Sequence, residues 1–135
     1  MADISKLPSE AKKAATEVKD WLLKQEFKDF NDLRFYSSPE LVEQCKALLD
    51  HLPDKCKEDF DPQNHDTRVT AIHVHTNIMV PVREGSKGLL ILVDAHGGAT
   101  LGGQELLELH YAELKQEVVA TPDFFALLLL SRAIL

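Results

Sequence analysis

The sequence predicts an α/β protein: a helical N-terminal segment followed by a small, partly parallel sheet with a βαβ unit. Three observations carry that prediction. Across residues 1–66, apolar side chains recur at three- and four-residue intervals, the spacing of a helix face. Across 70–82 the interval falls to two, the period of a half-buried strand. The run LLILV, 89–93, is apolar throughout and bounded by turn signals, as in a strand covered on both faces. The change of period places a domain boundary after residue 66. A helical segment, 1–66, would then precede a sheet domain, 67–135.

Taken in order, Ser9 is placed to cap a helix whose Ala11, Ala14, Ala15, Val18, Trp21 and Leu22 share one face. Ser38-Pro39 supplies an N-cap and a first-turn proline for a second helix. Its stripe of Leu41, Cys45, Leu48, Leu49 and Leu52 stops at Pro53. Residues 54–66, charged and turn-rich, read as a linker. TAIHVHTNIMVPV, 70–82, reads as one strand, REGSKG as a turn, and LLILV as the next strand. Leu106, Leu107, His110 and Leu114 return to helical spacing over 104–116. EVVAT, 117–121, reads as a strand ended by Pro122, and FFALLLLSRAIL as a buried helix. Strand, helix and strand over 89–121 make the βαβ unit, with the right-handed crossover such units adopt.

The composition excludes several classes of function. Fifteen Lys and Arg against 22 Asp and Glu leave a formal charge of −7 with no basic patch, which argues against nucleic acid and anionic membranes as partners. No apolar stretch reaches the ~20 residues of a membrane-spanning helix, and the N-terminus lacks a signal-peptide core. Cys45 and Cys56 have no metal-type spacing, and Cys45 falls on a core stripe, so a reduced, cytoplasmic setting is expected. The apolar tail, or an open sheet edge, offers a surface for self-association.

Four of the six glycines fall in HGGATLGG, 96–103, directly after a strand. Glycine there lets backbone N–H groups approach a ligand or a developing charge without obstruction. The stretch resembles the HGGG or HGGA element of the hormone-sensitive-lipase-like branch of the α/β-hydrolases. VPVREG (80–85) is similar to that family's lead-in turn, LLILVDAHGG to its approach strand, and HYAELKQEVVATPDF (110–124) to its helix-then-strand passage. The resemblance implies hydrolysis of a small carboxylic ester by a serine nucleophile, without a cofactor. By the same resemblance, Gly97 and Gly98 would donate backbone N–H groups to the oxyanion, with Ala99 a weaker third. His96 and Gly103 would hold the loop in shape. None of the serines at 5, 9, 37, 38, 86 and 131 sits in G-x-S-x-G. The expectation is therefore the N-terminal half of a hydrolase core, with part of an oxyanion hole and no attacking group, inactive by itself.

Two alternatives come from the residues. His73 and His75 stand two apart on a strand, so both imidazoles share a face and could ligate one metal ion, with Asp94 and His96 as further ligands. The stretch is also similar to the H-x-H of metal-dependent amidohydrolases. The second alternative is a non-catalytic module that pairs through its sheet edge or tail.

Overall fold

The structure, a computed structural model, describes residues 3–30, 33–57, 60, 65–80, 82, 86–95 and 98–133. Helix α1 (Ser9–Leu22) forms where the spacing predicts it and buries Ala11, Ala14, Ala15, Val18 and Leu22. Pro8 occupies the N-cap, so Ser9 is the first helical residue rather than the cap. At α2 (Pro39–Gln44) the expected cap is present: Ser38 Oγ accepts from the Leu41 N–H at 3.1 Å. The chain continues through α3 (Lys46–Asp50) and a short α4 (Asp54–Lys57). Leu41, Cys45, Leu48, Leu52 and Cys56 are buried, each by the helical spacing of the stripe.

The first 66 residues are not all helical. They also contain β1 (Asp3–Lys6), β2 (Lys28–Phe30) and β3 (Leu33–Tyr36). Beyond them lie β4 (His65–Val74), β5 (Ile78–Val80), β6 (Lys87–Ala95) and β7 (Thr100–Leu101). The last four are β8 (Gln104–Glu105), β9 (His110–Leu114), β10 (Val118–Thr121) and β11 (Phe124–Ala133). A seven-stranded sheet runs β1-β9-β6-β11-β4-β3-β2, and a four-stranded sheet runs β5-β10-β7-β8.

Every strand pairing among the described residues is antiparallel. This corrects the expected fold class. There is no βαβ unit over 89–121, no partly parallel sheet, and no core of the α/β-hydrolase kind. The eight strands from β4 onward pair in nested fashion instead: β4 with β11, β5 with β10, β6 with β9, and β7 with β8. Two antiparallel sheets wound in this order form a jelly roll, the double Greek key of many all-β domains.

Three layers result. Helices α1 to α4 pack on one face of the large sheet, against Val69, Ala71, Leu89, Ile91, Val93, Leu127 and Leu129. The small sheet covers the other face, enclosing Ile72, Val74, Leu90, Leu92, Ala112, Leu114, Phe124, Ala126 and Leu128 with Val80, Leu101 and Ala120. The described side chains of this cluster, between the sheets, are all apolar.

Burial on both faces explains where the periodicity misleads. Strand β11 is the middle strand of the seven, with Phe125, Leu127 and Leu129 toward the helices and Phe124, Ala126 and Leu128 toward the small sheet. A strand covered twice has no polar positions, so FFALLLLSRA reads as an all-round apolar helix. The same holds for β9, where Tyr111 faces the helices and Ala112 and Leu114 face the small sheet. The single strand expected over 70–82 is two, β4 and β5, in different sheets. The LLILV run is buried throughout as expected, Leu89 to Val93, although its neighbours β9 and β11 are antiparallel. Among the described residues no helix is long and apolar enough to cross a membrane. The apolar tail, offered above as an association surface, is occupied in the core from Phe124 to Leu129, with only Phe125 left partly exposed.

Candidate functional site

The glycine-rich stretch builds a turn rather than a helix start. Thr100 pairs with Glu105 and Leu101 with Gln104, which leaves Gly102-Gly103 as a two-residue hairpin loop. Their φ values of +59° and +83° are both positive, the requirement of a type I′ turn, and this is where glycine is needed. Gly98 also has positive φ, +95°, in the connection from β6 to β7. Ala99 is buried between the sheets, and its carbonyl accepts from the Leu106 N–H at 3.0 Å. The next amides are committed too: Thr100 N–H donates to Thr121 Oγ1 at 2.9 Å and Gly102 N–H to the Val119 carbonyl at 2.7 Å. His96 and Gly97 lie outside the described residues. Gly103 therefore belongs to the hairpin loop and Ala99 to the core, while Gly98 is exposed in the connection before them.

The two strand histidines do come together. His73 is the penultimate residue of β4, His75 follows its end, and their ring centroids are 5.7 Å apart. His73 Nε2 lies 2.7 Å from Asp123 Oδ1, in the turn that leads into β11. The side chain of His73 is 12% exposed and that of Asp123 48%, so the pair sits at a rim with the carboxylate outward. Nε2 of His75 is buried and has no hydrogen-bond partner among the described residues. A buried polar atom without a partner is uncommon and calls for an explanation.

The register of the large sheet brings this cluster about. Phe125 pairs with His73 across β11 and β4, and directly opposed residues project to the same face. Their rings stack at 4.0 Å between centroids and 7° between planes. Phe27, in the turn before β2, meets both edge-on, at 5.4 Å from Phe125 and 6.5 Å from His73. Tyr36 and Trp21 continue the aromatic row, with Phe27–Tyr36 at 6.0 Å and Tyr36–Trp21 at 5.9 Å.

Asp94 does not join the histidines. It pairs with Phe125 from β6, on the far side of β11, two strand spacings or roughly 9–10 Å from β4. There it makes an ion pair with Lys19 of α1 at 3.4 Å, which Lys19 shares with Glu108 at 3.7 Å. The other expected ligand, His96, is outside the described residues. Among those residues no group of three or more His, Cys, Asp or Glu side chains stands placed to hold a metal ion. The cluster is a histidine–aspartate pair with a second imidazole beside it.

Asp123 and Phe125 are the members that sequence reasoning missed. Both follow Pro122 at the end of β10, a position that marks a turn but does not reveal which distant strand the turn faces. Only the β4–β11 register, fifty residues apart in the chain, sets Asp123 against His73. The cysteines lie elsewhere: neither is in a disulfide and both are buried. Cys56 Sγ donates to Glu113 Oε1 at 3.3 Å, and burial pushes the Cys45 thiol up to about 12.

No family model, curated protein or solved structure matches this chain.

Proposed function

We propose that this protein binds a divalent transition-metal ion through His73, His75 and Asp123. The observation that carries the reading is the 2.7 Å approach of His73 Nε2 to Asp123 Oδ1, beside a buried His75 Nε2 with no partner among the described residues. Two donors on one tetrahedral ion at ~2.1 Å lie roughly 3.4 Å apart. The histidine–aspartate pair, at 2.7 Å, stands at hydrogen-bond distance and would have to spread to admit an ion in place of the shared proton. The histidines meet a similar test. A ring nitrogen is ~1.2 Å from its ring centre, so two imidazoles on one tetrahedral ion have centroids roughly 5.4 Å apart. The observed 5.7 Å is close to that spacing. Turning the half-exposed Asp123 side chain, together with the His75 ring whose Nε2 is buried, would complete the set.

Two imidazoles and a carboxylate suit zinc and neighbouring first-row ions, and leave coordination positions open to water or a small ligand. The ester-hydrolase reading rests on the resemblance of HGGATLGG and its flanks; the strand–helix–strand core which that resemblance implied is replaced here by antiparallel strands. Calorimetric titration with zinc, followed by cobalt as an absorbing probe, is the test. One binding site is expected per chain, lost in His73→Ala/His75→Ala and weakened in Asp123→Asn. A wild-type protein that takes up no ion, or a double variant that binds as well as wild type, would end the proposal.

A further inference from the structure

We propose that Phe125 is a positioning residue for this site, with Phe27 as its support: the stacked ring fixes the plane of the His73 imidazole and so sets how tightly the cluster holds an ion. The inference rests on the metal-binding reading for its consequence, though its geometry stands independently. An imidazole on a strand end can turn about two side-chain bonds. A hydrogen bond to one ring nitrogen fixes the direction of that nitrogen and leaves the ring free to rock around it. The parallel contact at 4.0 Å and 7° removes that freedom, because any rock drives one ring into the other. Phe27 closes the edge, contacting both rings at steep angles of 75° to Phe125 and 80° to His73. Phe125 is itself held by pairing on both sides, to His73 on β4 and to Asp94 on β6.

The bulge between Phe125 and Ala126 adds a second argument. Register with β6 shifts at that point, whereas register with β4 is unbroken from Phe124 to Ala133. The irregularity is thus confined to the side away from His73, and the stacked pair keeps its alignment. Groups that orient a metal-binding histidine without touching the ion alter affinity by roughly 10–100-fold when removed.

The experiment joins two readouts on the full chain: zinc affinity by calorimetry, and proton NMR of the His73 ring. Wild-type His73 ring protons are expected well upfield, since they lie over the face of Phe125. Phe125→Leu should return them toward the ordinary imidazole position and weaken zinc binding by about tenfold, the low end of the range for orienting groups. Phe125→Tyr, which keeps the stack, should restore both. Phe27→Leu should give a smaller loss in the same direction. If Phe125→Leu binds zinc as tightly as wild type, the positioning role is wrong while the metal site stands. If wild type binds no zinc yet shows the upfield protons, the stack is real and the metal reading fails. If the wild-type protons are not shifted, the stack itself is refuted.

Discussion

Substituting Gly102 and Gly103 separately tests whether the glycines after β6 serve the hairpin. Both have the positive φ of a type I′ turn, +59° and +83°. Placing an L side chain in the left-handed region costs ~1–2 kcal/mol. Alanine recovers ~0.4–1 kcal/mol by restricting the unfolded chain, so strain alone leaves a net loss of about 1 kcal/mol. Space then separates the two positions. A Cβ at Gly103 meets nothing within 4 Å, whereas one at Gly102 lies 3.0 Å from Val118 Cγ2 on β10. Valine is stiff about its first side-chain bond, so that contact is relieved only by moving backbone, an overpacking cost of ~1–3 kcal/mol. Gly103→Ala should therefore lose about 1 kcal/mol and Gly102→Ala about 2–4 kcal/mol. At this chain length 1 kcal/mol corresponds to about 3–4 °C in Tm. Gly103→Asn should be close to neutral, because asparagine adopts this conformation readily. Urea unfolding monitored by Trp21 fluorescence measures all three. Equal losses for the two alanines, or an asparagine as costly as alanine, would refute the hairpin argument.

Other expectations follow from the same geometry. Leu127→Ala, at a fully buried position on the middle strand, should cost ~2–5 kcal/mol in urea unfolding, against about 1 kcal/mol for Ser38→Ala at the α2 cap. Cys45 should resist Ellman's reagent at neutral pH in the native state and react on unfolding, since its thiol is raised from 9.0 to about 12 by burial. Because that folded value exceeds the unfolded one, the native state holds the extra proton. Stability from this site is full below pH 9 and is lost as the pH rises toward 12, a slope that Cys45→Ala should abolish. Zinc at a hundredfold excess over its Kd should add ~2.7 kcal/mol to wild-type stability and nothing to His73→Ala/His75→Ala, read as a shift in Tm. A fluorophosphonate probe should label none of the six serines; an adduct on any of them would revive the hydrolase reading.

Helices α1 to α3 were legible because each has one wet face, whereas α4 falls in the charged stretch that reads as a linker. Ala11, Ala14, Ala15, Val18 and Leu22 stand out against charged neighbours, and Ser38-Pro39 marks a start that the hydrogen bond to Leu41 realises. Strand β10 was legible from Val118, Val119 and the following proline. Strands β9 and β11 were not, because they are covered on both sides and their two-residue rhythm is erased. The pattern around Leu106, Leu107, His110 and Leu114 fits a helix by accident: Leu106 belongs to the inner core, whereas Leu107 is exposed in the loop before β9. The glycines announced a tight turn, but not that β7 and β8, two residues each, flank it. At the candidate site the sequence offered His73 and His75 through strand alternation. It suggested Asp94 as their partner because Asp94 ends the next apolar run, yet β11 enters between those strands and brings Asp123 instead.

The position of β11 governs how this chain can be made. Residues 124–133 are synthesised after the ten other strands of the described residues, yet they fill the slot between β4 and β6. Until they emerge from the ribosome, those two strands each have an unclaimed edge and the helices rest on half a platform. Pairing β4 with β11 joins residues 50 to 68 positions apart, from Val74 with Phe124 to His65 with Ala133, the kind of distant closure that slows folding and prolongs exposure to aggregation. A nascent chain arrested before Phe124 should therefore recruit chaperones, and release of ten further residues should end that dependence.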